Sequence, residues 1–143
     1  MTFTVRPDQG EPGDFDLGDI TCEGDCASVG SAGHAPDRGM MIYLSVPLLL
    51  DSLRPLITGE KKAVSFVGTD TSFGLDFKRD RKGAVPVSAK GTLLGNCTAE
   101  ELAQAVLQAT RELEGKSRST LPPGGGARGD LAGSLERFRA SIE

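Results

Sequence analysis

MMIYLSVPLLLDSLRPLITG, residues 40–59, is the stretch on which the fold turns. It opens with a continuous apolar run of strand length at 40–44, then places Leu49, Leu50, Leu53, Leu56 and Ile57 at helical spacing. Ser45 reads as an N-cap, with Pro47 in the first turn, where a missing N–H costs little. Gly59 closes the helix, and Pro55 is expected to distort its last turn. The reading is a strand running directly into a helix that buries one face on a sheet.

Downstream, AVSFVG, SFGLDFKR and AVPVSAKGTLLG alternate with period two and are separated by the turn signals TDT and DRKG. Val64, Phe66, Phe73, Leu75, Phe77, Val85 and Val87 supply an apolar face, and Ser65, Asp76, Lys78, Ser88 and Lys90 point away. This is an antiparallel meander, with Pro86 at an edge or bulge because it cannot donate to a ladder. The basic run KRDRK, 78–82, reads as a solvated hairpin tip. TAEELAQAVLQATRELEG is a second helix: Thr98 and Glu101 form a capping box, Leu102, Ala105, Val106, Ala109 and Leu113 form the stripe, and Gly115 stops it.

Upstream, the first eighteen residues are rich in Gly, Pro and Asp, with strands expected near 2–6 and 16–23. A Gly-rich loop follows at 28–39, long enough to be either mobile or functional. Beyond Gly115, KSRSTLPPGGGARGD offers no apolar face and carries a high ordering cost. DLAGSLERFRASIE then sets Leu131, Leu135, Phe138 and Ile142 on one helical stripe, too short to stand alone. It docks on its own domain or on a partner, or stays disordered. The expected organisation is one α+β domain at 1–115, a flexible linker at 116–129 and an amphipathic segment at 130–143. Its fold class is a mostly antiparallel sheet with two helices packed on one face.

A chain of 143 residues with 38% hydrophobic and 25% charged residues can bury a core without staples. A net charge of −4 and a pI near 5.1 argue against affinity for nucleic acid and suit a basic partner better. The acidic N-terminal stretch lacks the apolar core of a secretory signal, and Ser45 and Pro47 break the longest apolar run, so no membrane segment is expected. Three cysteines without export imply reduced thiols and a cytoplasmic location. The Ala, Gly, Arg and Asp bias is that of a GC-rich bacterial genome.

Residues 21–34, TCEGDCASVGSAGH, hold two of the three cysteines and the one histidine. CEGDC has the first spacing of a zinc site, but the second ligand pair is missing, so no metal and no cofactor are assigned. A hairpin turning at EGD could set Cys22 opposite Cys26; reduced thiols flanking a hairpin are the simpler reading. A catalytic role for His34 lacks a nucleophile signature beside it. GTDTSFG, 68–74, is similar to the D-x-S-x-x-G element of cyclic-dinucleotide-binding PilZ barrels. Its last glycine falls one residue early, however, and no upstream R-x-x-x-R accompanies it. PPGGGARG lacks the Lys-Ser/Thr ending of a phosphate-binding loop.

The order of MMIYLSVPLLLDSLRPL, AVSFVGTDTSFGLDF, AVPVSAKGTLL and TAEELAQAVLQATREL resembles the small α+β immunity proteins of bacterial polymorphic toxin systems. The resemblance implies a cytoplasmic, non-enzymatic binder that blocks a toxin with an acidic or apolar surface. It carries over no catalytic residues. The sheet face or the 28–39 loop would meet the protein partner, through Glu23, Asp25, His34, Asp37, Arg38, Asp70 and Asp76, polar residues on loops or outward strand positions. The competing expectations are a small-molecule-binding or enzymatic domain with a pocket between helix and sheet, and a metal- or redox-regulated module.

Overall fold

The apolar run at 40–44 is mostly helix. In the computed structural model, which describes residues 1–142, only Met40–Met41 is strand (β4), and helix α1 spans Ile42–Thr58. A short apolar run fits a buried strand and a buried helix equally well by pattern. Helix wins because this segment is covered on several sides: Ile42, Tyr43, Val46, Leu49, Leu50, Leu53 and Leu56 are all at most 1% exposed. Ser45 is therefore not the cap. Its buried hydroxyl donates to the Met41 carbonyl at 2.8 Å and accepts the Thr69 N–H at 2.9 Å. At the far end Gly59 adopts φ 89°, the left-handed conformation expected of a helix stop. Arg79, from the basic run read as solvated, donates to the Leu56 and Ile57 carbonyls at 2.8 and 2.9 Å and satisfies the end of α1.

The expectation of one sheet is corrected: the α+β architecture contains two four-stranded antiparallel sheets and, among the described residues, three helices. In the first sheet, β2 (Leu17–Glu23) is central. On one side it pairs with β1 (Thr2–Val5), and on the other with β3 (Ser28–Gly30) and β4 end to end. The second is the expected meander of β5 (Ala63–Val67), β6 (Gly74–Lys78), β7 (Ala84–Ala89) and β8 (Thr92–Thr98). Pro86 lies in β7, an inner strand, but β6 pairs with β7 only at Val87 and Ser88, and a register shift falls between those two residues. Proline thus sits past the end of one ladder and beside a bulge, which is where it is tolerated.

The sheets meet where the turn after β2 touches β8. The N–H groups of Cys26 and Ala27 both donate to the Leu94 carbonyl, at 2.7 and 3.0 Å. A Cβ on Gly24 would collide with that same oxygen, so only glycine permits the approach. This contact explains the division into two sheets: one hairpin bonds across to the other sheet's edge instead of extending its ladder.

Helix α2 runs from Ala99–Thr120, past Gly115, which does not stop it. Its capping box is present, with the Thr98 hydroxyl accepting from Glu101 N–H at 3.0 Å and the Glu101 carboxylate accepting from Thr98 N–H at 2.9 Å. Replacing Thr98 with Ala is expected to cost about 1 kcal/mol in urea unfolding, because one N-terminal donor loses its partner. An unchanged midpoint would show that the cap contributes nothing. Leu102, Val106, Ala109 and Leu113 are buried as expected; Ala105 is exposed, and Ala103 and Leu107 are buried in its place.

Helix α3 spans Gly126–Ser141, so much of the stretch expected as linker is helical and only 121–125 connects the helices. It packs on α1 and α2, while those two pack on the sheets. Leu131 and Phe138 are fully buried and Leu135 and Ile142 partly so. Docking supplies the burial that a short helix lacks in isolation.

Candidate interaction surface

The first two expected contact residues, Glu23 and Asp25, converge on a cleft between the two sheets and α2. Its lining includes Cys22, Val87, Leu94 and Leu102 as an apolar floor, with Glu101 and Asn96 at the rim, around a volume of about 280 Å³. Strand β2 delivers Glu23 at its exposed end, and the Gly24 turn carries Asp25 over β8. Glu101 arrives from the first turn of α2. Met1 lines the cleft as well, and the Glu101 carboxylate is engaged by the Thr98 N–H, so Glu23 and Asp25 beside the apolar floor are the acids that can take a side chain with an alkyl stem and a cationic head. Cys22 and Cys97 line the same cleft, and burial pushes both thiols up, so they stay protonated at neutral pH and are poor nucleophiles. The hairpin places Val29, not Cys26, opposite Cys22, and all three cysteines are free.

The 28–39 loop is latched. The Arg6 guanidinium bonds Asp37 twice, at 2.7 and 2.8 Å, and Asp19 twice, at 2.9 Å each. Asp19 is 8% exposed and also accepts the Ser31 hydroxyl at 2.7 Å. Arg6 hydrogen bonding holds both carboxyls below the usual carboxylate range, most strongly at Asp37. In the same loop the His34 Nε2 lies 2.7 Å from the Gly30 carbonyl, a local turn contact at an exposed position. The Arg38 carbonyl accepts the Thr71 hydroxyl at 2.6 Å, and its side chain borders a second cleft of about 270 Å³ with Val29, Phe73 and Lys90.

The remaining pair lies elsewhere. Asp70 is exposed in the turn after β5, at φ 63°. Asp76 stands on the outer face of the second sheet, in a row with Ser65, Ser88 and Leu93 across β5 to β8, and accepts the Ser65 hydroxyl at 2.6 Å. That face holds small residues and two exposed apolar ones, Val67 at 58% and Leu93 at 42%. The seven residues therefore do not form one site: Glu23 and Asp25 share a cleft, His34, Asp37 and Arg38 share the latched loop, and Asp70 and Asp76 stand apart. Sequence reading misses Arg6, Asp19 and Ser31, because ion partners 13 and 31 residues apart leave no local pattern. It also misses Glu101 at the cleft, where its helix-capping role masks its position.

Among the described residues, no three His, Cys, Asp or Glu side chains gather as a metal site, and no buried side-chain N or O lacks a partner. No described helix is long and apolar enough to cross a membrane. No family model, curated protein or solved structure matches this chain.

Proposed function

We propose that this chain is a non-enzymatic protein-interaction module that receives a basic side chain of a partner protein in the cleft rimmed by Glu23, Asp25 and Glu101. The observation that carries the reading is that Glu23, Asp25 and Glu101 line one cleft together with the apolar Cys22, Val87, Leu94 and Leu102. The net charge of −4 acts in the same direction, since it speeds encounter with a basic surface. An immunity-type role in a bacterial cytoplasm is the specific form we favour, with the partner a toxin domain covered by this face.

The test is affinity purification from the native host under gentle conditions, comparing the natural chain with the double variant Glu23→Lys, Asp25→Lys. A partner bound through the cleft is recovered with the natural chain, crosslinks to residues around the cleft, and falls at least tenfold with the variant, more so at low salt. Equal recovery by both forms places the contact elsewhere and sinks the cleft reading. Recovery of the chain alone defeats the protein-partner reading and favours a small ligand between α2 and the sheets.

A further inference from the structure

Leu94, to which the turn after β2 bonds, lines two clefts of opposite charge. The acidic one holds Glu23 and Asp25, before the turn. The other, about 270 Å³, lies on the β3 side and is lined by two cations, Arg38 and Lys90, and by no acid. Its apolar lining is Val29, Phe73, Ala89 and Leu94. Two cations without an acid run against the net charge of −4. Neither is spent within the chain: among the described residues, the Arg38 and Lys90 side chains have no ion pair and no hydrogen bond. Asp37, the acid beside Arg38 in sequence, is taken by Arg6 at 2.7 and 2.8 Å.

Lys90 occupies a backbone position that does not suit it. With Gly91 it makes the two-residue turn between β7 and β8, at φ 49° and 81°. Positive φ at both residues is the mark of a type I′ turn, for which Asn-Gly or Asp-Gly is the relaxed pair. Lysine lacks a short polar group to bond the local backbone, and its Cβ crowds a carbonyl oxygen in this region. The other non-glycine residues at positive φ among those described, Asp8 and Asp70, are of the tolerant type. The turn thus forgoes the residue that fits its backbone and keeps a cation at the cleft, and strain retained in this way points to function. Arg38 is anchored from both sides: its carbonyl accepts the Thr71 hydroxyl at 2.6 Å, and the following N–H, of Gly39, donates to Asp37 at 2.9 Å. Both cations therefore start from a fixed backbone, which lowers the ordering cost of binding.

We propose that this cleft binds a small organic acid, a carboxylate joined to an apolar body, with Arg38 and Lys90 taking the carboxylate and Val29, Phe73 and Leu94 receiving the body. The planar guanidinium matches a carboxylate fork to fork, and the ammonium adds a second charge. The apolar lining calls for a body: inorganic phosphate would meet the cations and leave that lining bare. At about 270 Å³ the cleft falls below the roughly 300–1,000 Å³ of sites for drug-sized ligands, so a single ring or a short branched chain is the size that fits. A free organic acid and the C-terminal carboxylate of a peptide ending in an apolar residue share this chemistry. The site does not use Glu23 or Asp25, so either cleft can fail without the other.

Titration of the full chain with phenylacetate, followed by amide NMR, tests this. The expected dissociation constant is on the order of 1 mM, ordinary for a ligand of about ten heavy atoms, with shifts confined to the residues around the cleft. Phenylacetamide, which keeps the ring and loses the charge, and inorganic phosphate, which has charge and no ring, should each bind about tenfold more weakly or worse. Lys90→Asn and Arg38→Gln are each expected to weaken phenylacetate about fivefold or more. Lys90→Asn is also expected to raise Tm, because asparagine suits the turn; affinity lost while stability is gained is a pattern that a purely structural lysine does not give. Acetyl-Gly-Gly-Phe binding more tightly than phenylacetate assigns the site to a chain terminus, and equal or weaker binding assigns it to a free acid; both support the carboxylate chemistry. The proposal is overturned by no binding up to about 20 mM, by phenylacetamide or phosphate binding as well as phenylacetate, by shifts spread over the surface lysines, or by unchanged affinity in either variant. Should Arg38→Gln fail to fold, Lys90→Asn decides alone: weakened binding supports the site and unchanged binding refutes it.

Discussion

Phe138→Ala is expected to lower the unfolding free energy by about 3–5 kcal/mol, the range for emptying a fully buried aromatic site. The ring is 0% exposed, on the face of α3 that also buries Ala127, Leu131 and Ser134. That face meets α1 and α2, not the sheets, so the cavity would open between helices. For a chain of this size the loss corresponds to a fall in Tm of roughly 10 °C or more, a large share of a typical domain's stability. Arg137→Ala is the comparison: an exposed residue 3.9 Å from Asp51 and 3.1 Å from the Ser134 hydroxyl, worth about 1 kcal/mol or less. If α3 were a tether resting on a domain complete without it, both substitutions would leave urea unfolding unchanged. A large, cooperative loss at Phe138 alone makes α3 part of the core.

The same helix shows what the sequence can and cannot convey. Leu131, Leu135, Phe138 and Ile142 are readable as a stripe because helical spacing is local. The start at Gly126 is not, because GGGAR has poor intrinsic propensity and forms a helix only through docking on α1 and α2. The Thr98–Glu101 capping box is legible for the same local reason, and so are the meander strands, whose turns are short. The start of α1 is ambiguous: an apolar run at 40–44 fits either element until its neighbours are known. The split into two sheets depends on Cys26 and Ala27 reaching the distant Leu94, a contact with no periodic trace. At the candidate surface, Glu23 and Asp25 can be picked out as exposed acids, but their meeting with Glu101 requires the fold. Asp37 reads as a contact residue, whereas the structure pairs it with Arg6, so its charge is already partnered within the chain.

Arg6→Met is expected to cost about 2–4 kcal/mol near neutral pH, with the loss concentrated at Asp19. Methionine keeps the length and removes the cation, leaving a carboxylate that is 8% exposed with Ser31 as its remaining side-chain donor. Asp37, exposed, regains water and contributes little to the loss. The pH dependence separates this charge effect from lost packing. Both carboxyls are held below their ordinary values, first by the Arg6 hydrogen bonds, so the folded state binds fewer protons than the unfolded one as pH drops. Their contribution is therefore complete above about pH 4, the unfolded carboxylate range, and is lost as pH falls through the lower folded values. The gap between the natural chain and Arg6→Met should be widest at pH 7 and narrow steadily below about pH 4. Urea unfolding at pH 7 and pH 3 measures it. A gap that stays constant would mean that the side chain acts by packing alone. A second readout follows from the latch: without Arg6, amide exchange across 31–39 should quicken while the β2 ladder keeps its protection. That pattern would show that one guanidinium, shared between a buried and an exposed carboxylate, orders a Gly-rich loop whose own composition favours none of its conformations.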